Sequence, residues 1–120
     1  MEGRRGERLT YLIAFLETAQ EAERLAIGIH QHSAKGKTVS ERTEALLDQL
    51  WTRLRAVQLL CPAEVSEAAR DLAGEVHRVV REGPGEQSVT AFLRPSRGKL
   101  IALARADLGR VERIKELPKL

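Results

Sequence analysis

Residues 62–83 read PAEVSEAARDLAGEVHRVVREG. Val65, Ala68 or Ala69, Leu72, Val76, Val79 and Val80 recur there at steps of three and four, the spacing of one face of an α-helix. Pro62 suits the first turn, where its missing N–H costs nothing, and Glu64 lies close to the positive end of the helix dipole. The small residues Ala69, Ala73 and Gly74 allow a neighbouring element to approach closely, and Gly83-Pro84-Gly85 ends the helix. A stripe of this kind needs partners, and the flanking segments offer three more.

On the N-terminal side, Cys61-Pro62 stops a preceding helix, because proline disfavours helical geometry in the residue before it. The apolar face of that helix runs Thr43, Leu46, Leu47, Leu50, Leu54, Val57 and Leu60, with Trp51 at its edge. Thr38 and Glu41 have the spacing of a capping box at its start, and Ser40 is a competing N-cap. Further upstream, residues 7–32 place Leu9, Leu12, Ile13, Leu16, Ala19, Ala22 or Glu23, Ala26 and Ile29 at helical steps, before a polar link at residues 33–37. On the C-terminal side, residues 86–94 predict a short helix bearing Val89, Phe92 and Leu93, and Pro95 predicts a kink or break. Ser96 is placed to cap a last helix through Leu100, Ile101, Leu103, Ala104, Leu108 and Val111, up to about Ile114. Links this short favour antiparallel neighbours. The expectation is therefore an all-α fold: an antiparallel bundle of four main helices in one domain over 1–120, with flexible ends at about 1–6 and 115–120.

Composition supports this. At 120 residues one core is expected, and 42% hydrophobic with 31% charged residues is rich enough to collapse. Aromatics are only 3%, so Leu, Ile, Val and Ala must build the core, which suits closely packed helices. The longest apolar run, Leu12 to Leu16, falls far short of the roughly 20 residues that span a bilayer. The arginine-bearing N-terminus leads into a patch followed at once by Glu17, Glu21 and Glu23, so it reads as a helix start rather than a secretion signal. The lone Cys61 makes no internal disulfide, no Cys/His set has metal spacing, and no cofactor motif is present; these point to a cytoplasmic chain. A cysteine near a helix N-terminus can have a lowered pKa, but no base or resolving thiol accompanies Cys61.

The stretch WTRLRAVQLLCPAEVSEAARDLAGEVHRVV, followed later by AFLRPSRGKLIALARADLG, resembles a recurrent pattern in uncharacterised helical-bundle proteins of high-GC Gram-positive bacteria. The resemblance covers roughly residues 45–110, and it implies a helical scaffold without an assigned chemistry. Some proteins of that appearance carry a membrane helix ahead of the bundle, which is not found here. Arg70 and His77, separated as in RDLAGEVH, resemble the Arg and His of HEPN-type RNases. That resemblance makes them catalytic candidates, the arginine stabilising phosphate charge and the histidine moving a proton across a helical dimer.

Two further features carry candidate chemistry. His30 and His32 lie two apart, pointing to different sides of a helix, so complementing the helix-end dipole fits better than a shared metal. Residues 94–120 hold eight Lys/Arg against Asp107, Glu112 and Glu116, the one strongly basic region of a chain whose net charge is +3. Arg94, Arg97, Lys99 and Arg105 are its nucleic-acid contact candidates, although aromatic platforms and a phosphate loop are missing. The favoured reading is a non-enzymatic protein-interaction or scaffold module, oligomeric or bound to a protein partner, with Trp51 on the partner surface. A nucleic-acid-associated protein is the alternative and a HEPN-like RNase the third reading.

Overall fold

The computed structural model describes residues 2–30 and 41–116, with side chains described at 6–30 and 41–107. It contains four helices: α1 (Glu2–His30), α2 (Glu41–Leu60), α3 (Ala63–Glu82) and α4 (Val89–Glu116). Residues 2–6 and 115–116, expected as flexible ends, are helical; Met1 and residues 117–120 lie outside the described residues. The capping residues Thr38 and Ser40 also lie outside them.

Three helix ends have a local cause. Glu41 and Glu44 place negative charge in the first turn of α2, where the helix dipole favours it. α3 stops at Gly83, whose φ of 86° only glycine adopts without strain, and whose N–H reaches the Val79 carbonyl at 2.9 Å. α4 begins where Ser88 Oγ accepts the Ala91 N–H at 3.0 Å. Ser88, not Ser96, is therefore the cap, because the segment ahead of Pro95 is the start of α4 itself. Pro95 falls inside that helix, leaving the Ala91 carbonyl without its usual helical donor.

The helices form an antiparallel bundle. Arg53 of α2 donates to the Ala14 carbonyl and Thr18 Oγ1 of α1 at 3.0 and 2.8 Å. Arg81 of α3 pairs with Glu44 of α2, Arg78 lies 6.0 Å from the Phe92 ring of α4, and Arg8 of α1 faces Asp107 of α4 at 3.9 Å. α1 and α3 run parallel as a central pair in direct contact, whereas α2 and α4 sit on opposite sides and do not touch among the described residues. Small buried residues allow that central contact: Ala22 and Ala26 on α1, Ala69 and Ala73 on α3 are all fully enclosed. The flattened bundle has two faces, one with α3 between α2 and α4, the other with α1 between them.

Phe15, Leu47, Leu50, Leu72, Leu93 and Leu100 are the largest enclosed side chains. Burying each such leucine stabilises the fold by roughly 2 kcal/mol, so the core is the dominant stabilising element. No described helix is long and apolar enough to cross a membrane.

Candidate functional site

α1 and α4 are the least closely packed of the touching helix pairs, and a groove runs between them. A cleft of about 460 Å³ is lined there by Leu16, Gln20, Glu23, Ile27, Arg97 and Ile101, with Arg24 at its margin. Leu9 and Ile13 continue the α1 wall, since 9, 13, 16, 20 and 27 share a helix face at steps of three and four or their sum. They remain 37% and 46% exposed, an unusual position for large aliphatic residues aligned along a helix. Arg94, Arg97, Ile101 and Arg105 share the facing side of α4 by the same spacing, and Arg94 and Arg105 are exposed.

A polar tie forms the floor. The Glu23 side chain, 8% exposed, receives the Arg97 guanidinium on one oxygen and the Thr90 hydroxyl at 2.9 Å on the other. A carboxylate this enclosed needs both partners, because an unpaired buried charge costs several kcal/mol. Glu23 stands in the sequence as an alternative to Ala22 on an apolar stripe, and an acid in that position was the signal of a buried pair.

The opposite face carries the other cluster. Trp51 Nε1 of α2 donates to His77 Nδ1 of α3 at 3.0 Å, the two rings tilted by 58° with centroids 5.9 Å apart. Arg81 Nε donates toward His77 Nε2 at 2.8 Å, and its Nη2 donates to both Glu44 carboxylate oxygens at 2.6 and 2.8 Å. A neutral imidazole has one acceptor nitrogen, so the ring satisfies one of these two donors at a time. Trp51 is thus folded onto α3, half-buried, with an edge left to a shallow cleft of about 530 Å³ that also takes in Arg70, Asp71, Gly74, Ser96 and Lys99.

The structure places the candidates of the sequence unequally. Arg70 is exposed and His77 half-buried, two turns apart on α3, about 10 Å along the axis. Both ring nitrogens of His77 face donors, an arrangement that ties α2 to α3 and leaves no nitrogen directed at solvent. The four basic candidates do not share one surface: Arg97 is engaged with Glu23, Lys99 lines the cleft beside α3, and Arg94 and Arg105 lie on the α1 side.

His30 Nε2 donates to the Val80 carbonyl of α3 at 2.8 Å, while His32 lies outside the described residues. Cys61 sits at the α2–α3 corner near Arg8 and Asp107. Burial pushes its thiol upward, Arg8 pulls it down, and Asp107 adds to the rise. The lowered pKa that a helix N-terminus can confer is outweighed by desolvation. Among the described residues no three His, Cys, Asp or Glu side chains gather as a metal-binding group.

Fold and surface together define a four-helix bundle with a half-apolar, half-basic groove and internally tied polar clusters. No family model, curated protein or solved structure matches the chain.

Proposed function

We propose that this protein is a non-enzymatic interaction module whose docking face is the α1–α4 groove. The observation that carries the reading is the aligned exposure of Leu9 and Ile13, in register with Leu16 and Ile27 beside the least closely packed of the touching helix pairs. Scattered exposed aliphatics are ordinary, whereas aligned ones beside a groove mark a contact surface. The polar clusters support the same reading, since Trp51, His77, Arg81 and Glu44 hold one another rather than framing a reaction site. We place the protein in a bacterial cytoplasm on the resemblance of residues 45–110 and the lone Cys61.

Nucleic-acid association is the second reading, supported by the exposure of Arg94, Lys99 and Arg105. One comparison separates the two. The protein and a Leu9→Asp/Ile13→Asp variant are purified from source cells at low salt, with and without nuclease, and circular dichroism checks the fold. A partner or dimer that survives nuclease and is lost in the variant supports docking. Binding that is unchanged in the variant and vanishes with nuclease or added salt removes it in favour of the second reading.

A further inference from the structure

We infer that the α1–α4 groove takes an acidic amphipathic helix of a partner protein, an inference that rests on the docking role proposed for this groove. The two walls differ in chemistry. α1 contributes Leu9, Ile13, Leu16 and Ile27, aliphatic side chains with no charge to offer a ligand. α4 contributes Arg94 and Arg105, exposed and in line with Arg97 and Ile101, which form the lining. The buried carboxylate of the groove, Glu23, is already neutralised by Arg97 and held by Thr90, so it does not cancel the arginines on the rim. Arg24 lines both this cleft and the α2-side cleft that Glu21 also lines, so the unshared cations of the groove are those of α4.

An occupant that satisfies both walls has an apolar side against α1 and carboxylates against α4. A helix fits the shape, because two helices lying side by side form a straight trough read by residues at i, i+3 or i+4 and i+7. Leu9 to Ile27 spans about 27 Å of helix axis, which a partner helix of about 18 residues would cover. A partner strand has nothing to extend, since the described residues contain no strand. A nucleic-acid strand would leave the aliphatic wall facing phosphates, and a second copy docked groove to groove would present its own basic α4 or an uncharged wall to Arg94 and Arg105.

The test uses the full chain in source cells, with a benzophenone amino acid placed at position 13 in the groove and, in a second protein, at position 71 on the opposite face. Ultraviolet adducts are isolated and the attached segment is sequenced by mass spectrometry. The expected adduct at position 13 is a protein segment with apolar residues at helical spacing and Asp or Glu beside them. A synthetic peptide of that segment is then titrated against the protein. Its affinity should fall about tenfold in an Arg94→Glu/Arg105→Glu variant and recover when the acids of the peptide are changed to lysine. A position-13 adduct with nucleic acid, a second copy or a segment lacking acids overturns the inference. So does peptide binding indifferent to the arginine reversal, although docking at this groove would then stand. An adduct at position 71 alone overturns both the inference and the groove as docking face, moving the interface to α3. No adduct at either position removes the interaction-module reading as well.

Discussion

His30 closes α1 by doing work for α3. The Val80 carbonyl would normally accept the N–H four residues on, but that residue is Pro84, which has none. The His30 imidazole donates instead, and it lies close enough to Gly83 that a Cβ there would come within 3.2 Å of its Nδ1. Gly83 is favoured by its positive φ, and any Cβ there would also press on this ring. A His30→Ala change should cost about 1 kcal/mol, read as a lower urea midpoint without change in slope. The histidine was visible in the sequence as a helix-end residue; its acceptor, fifty positions away, was not. Cys61 gives a residue-level prediction with a defined sign. The folded state holds the thiol proton more tightly than the unfolded chain, because desolvation disfavours the thiolate. Alkylation of the native protein should therefore lag behind that of denatured protein at mildly alkaline pH, and Asp107→Asn should speed it by removing a carboxylate that opposes ionisation. Stability should fall as pH rises past the ordinary thiol range, where the unfolded chain ionises first.

α4 shows how an element overrides its local signals. Pro95 forecast a break, and Ser96 looked like the cap of a separate last helix. The helix instead starts at the Ser88 cap and continues through the proline, since Val89 and Leu93 before it and Leu100 and Ala104 after it are all buried on one side. Burial of four such side chains outweighs the roughly 3 kcal/mol that an interior proline costs a helix. Pro95 itself is exposed, so its removal sacrifices little packing. Pro95→Ala should raise stability by about 1 to 3 kcal/mol, measured as an upward shift of the thermal midpoint with unchanged helical content. A drop in stability would mean that the bundle depends on the proline geometry. α2 and α3 were legible to within a few residues because their stripes and their terminators agree: Leu47, Leu50, Leu54 and Val57 end at Cys61-Pro62, and Val76, Val79 and Val80 end at Gly83, whereas the expected α1 stripe included the exposed Leu9 and Ile13 and left out the enclosed Phe15.

At the scale of the whole molecule, the decisive feature is the central contact between α1 and α3, with α2 and α4 held apart on either side. Three polar ties fasten this frame at different seams: Arg53 to Ala14 and Thr18, Arg81 to Glu44 and His77, and Arg97 to Glu23. The last one fixes α4 across the open groove and makes an asymmetric prediction. Arg97→Ala leaves an enclosed carboxylate with Thr90 alone and should cost about 3 kcal/mol. Glu23→Ala leaves a half-buried arginine that can swing into water and should cost about 1 kcal/mol. Equilibrium urea unfolding of both variants checks the order, and a larger loss for Glu23→Ala would show that the arginine is the costlier group to leave unpaired.

By itself the sequence determined that the fold is built of four main helices, the stripes of α2 and α3 and the terminators at Cys61-Pro62 and Gly83, because apolar periodicity and Gly or Pro chemistry act over a few neighbouring residues. It also determined that the core is aliphatic, since only four aromatic residues exist to fill it. The tertiary structure alone decided which helices touch, and with them the site. Arg97 and Lys99, two residues apart, fall into different clefts; Glu23 meets an arginine 74 positions away; Leu9 and Ile13 stay exposed while Leu12 and Phe15 are enclosed. The physical reason is that helical periodicity marks residues able to point inward without fixing which neighbour covers them. That choice depends on the close approach that alanines permit between α1 and α3, a property of two surfaces together.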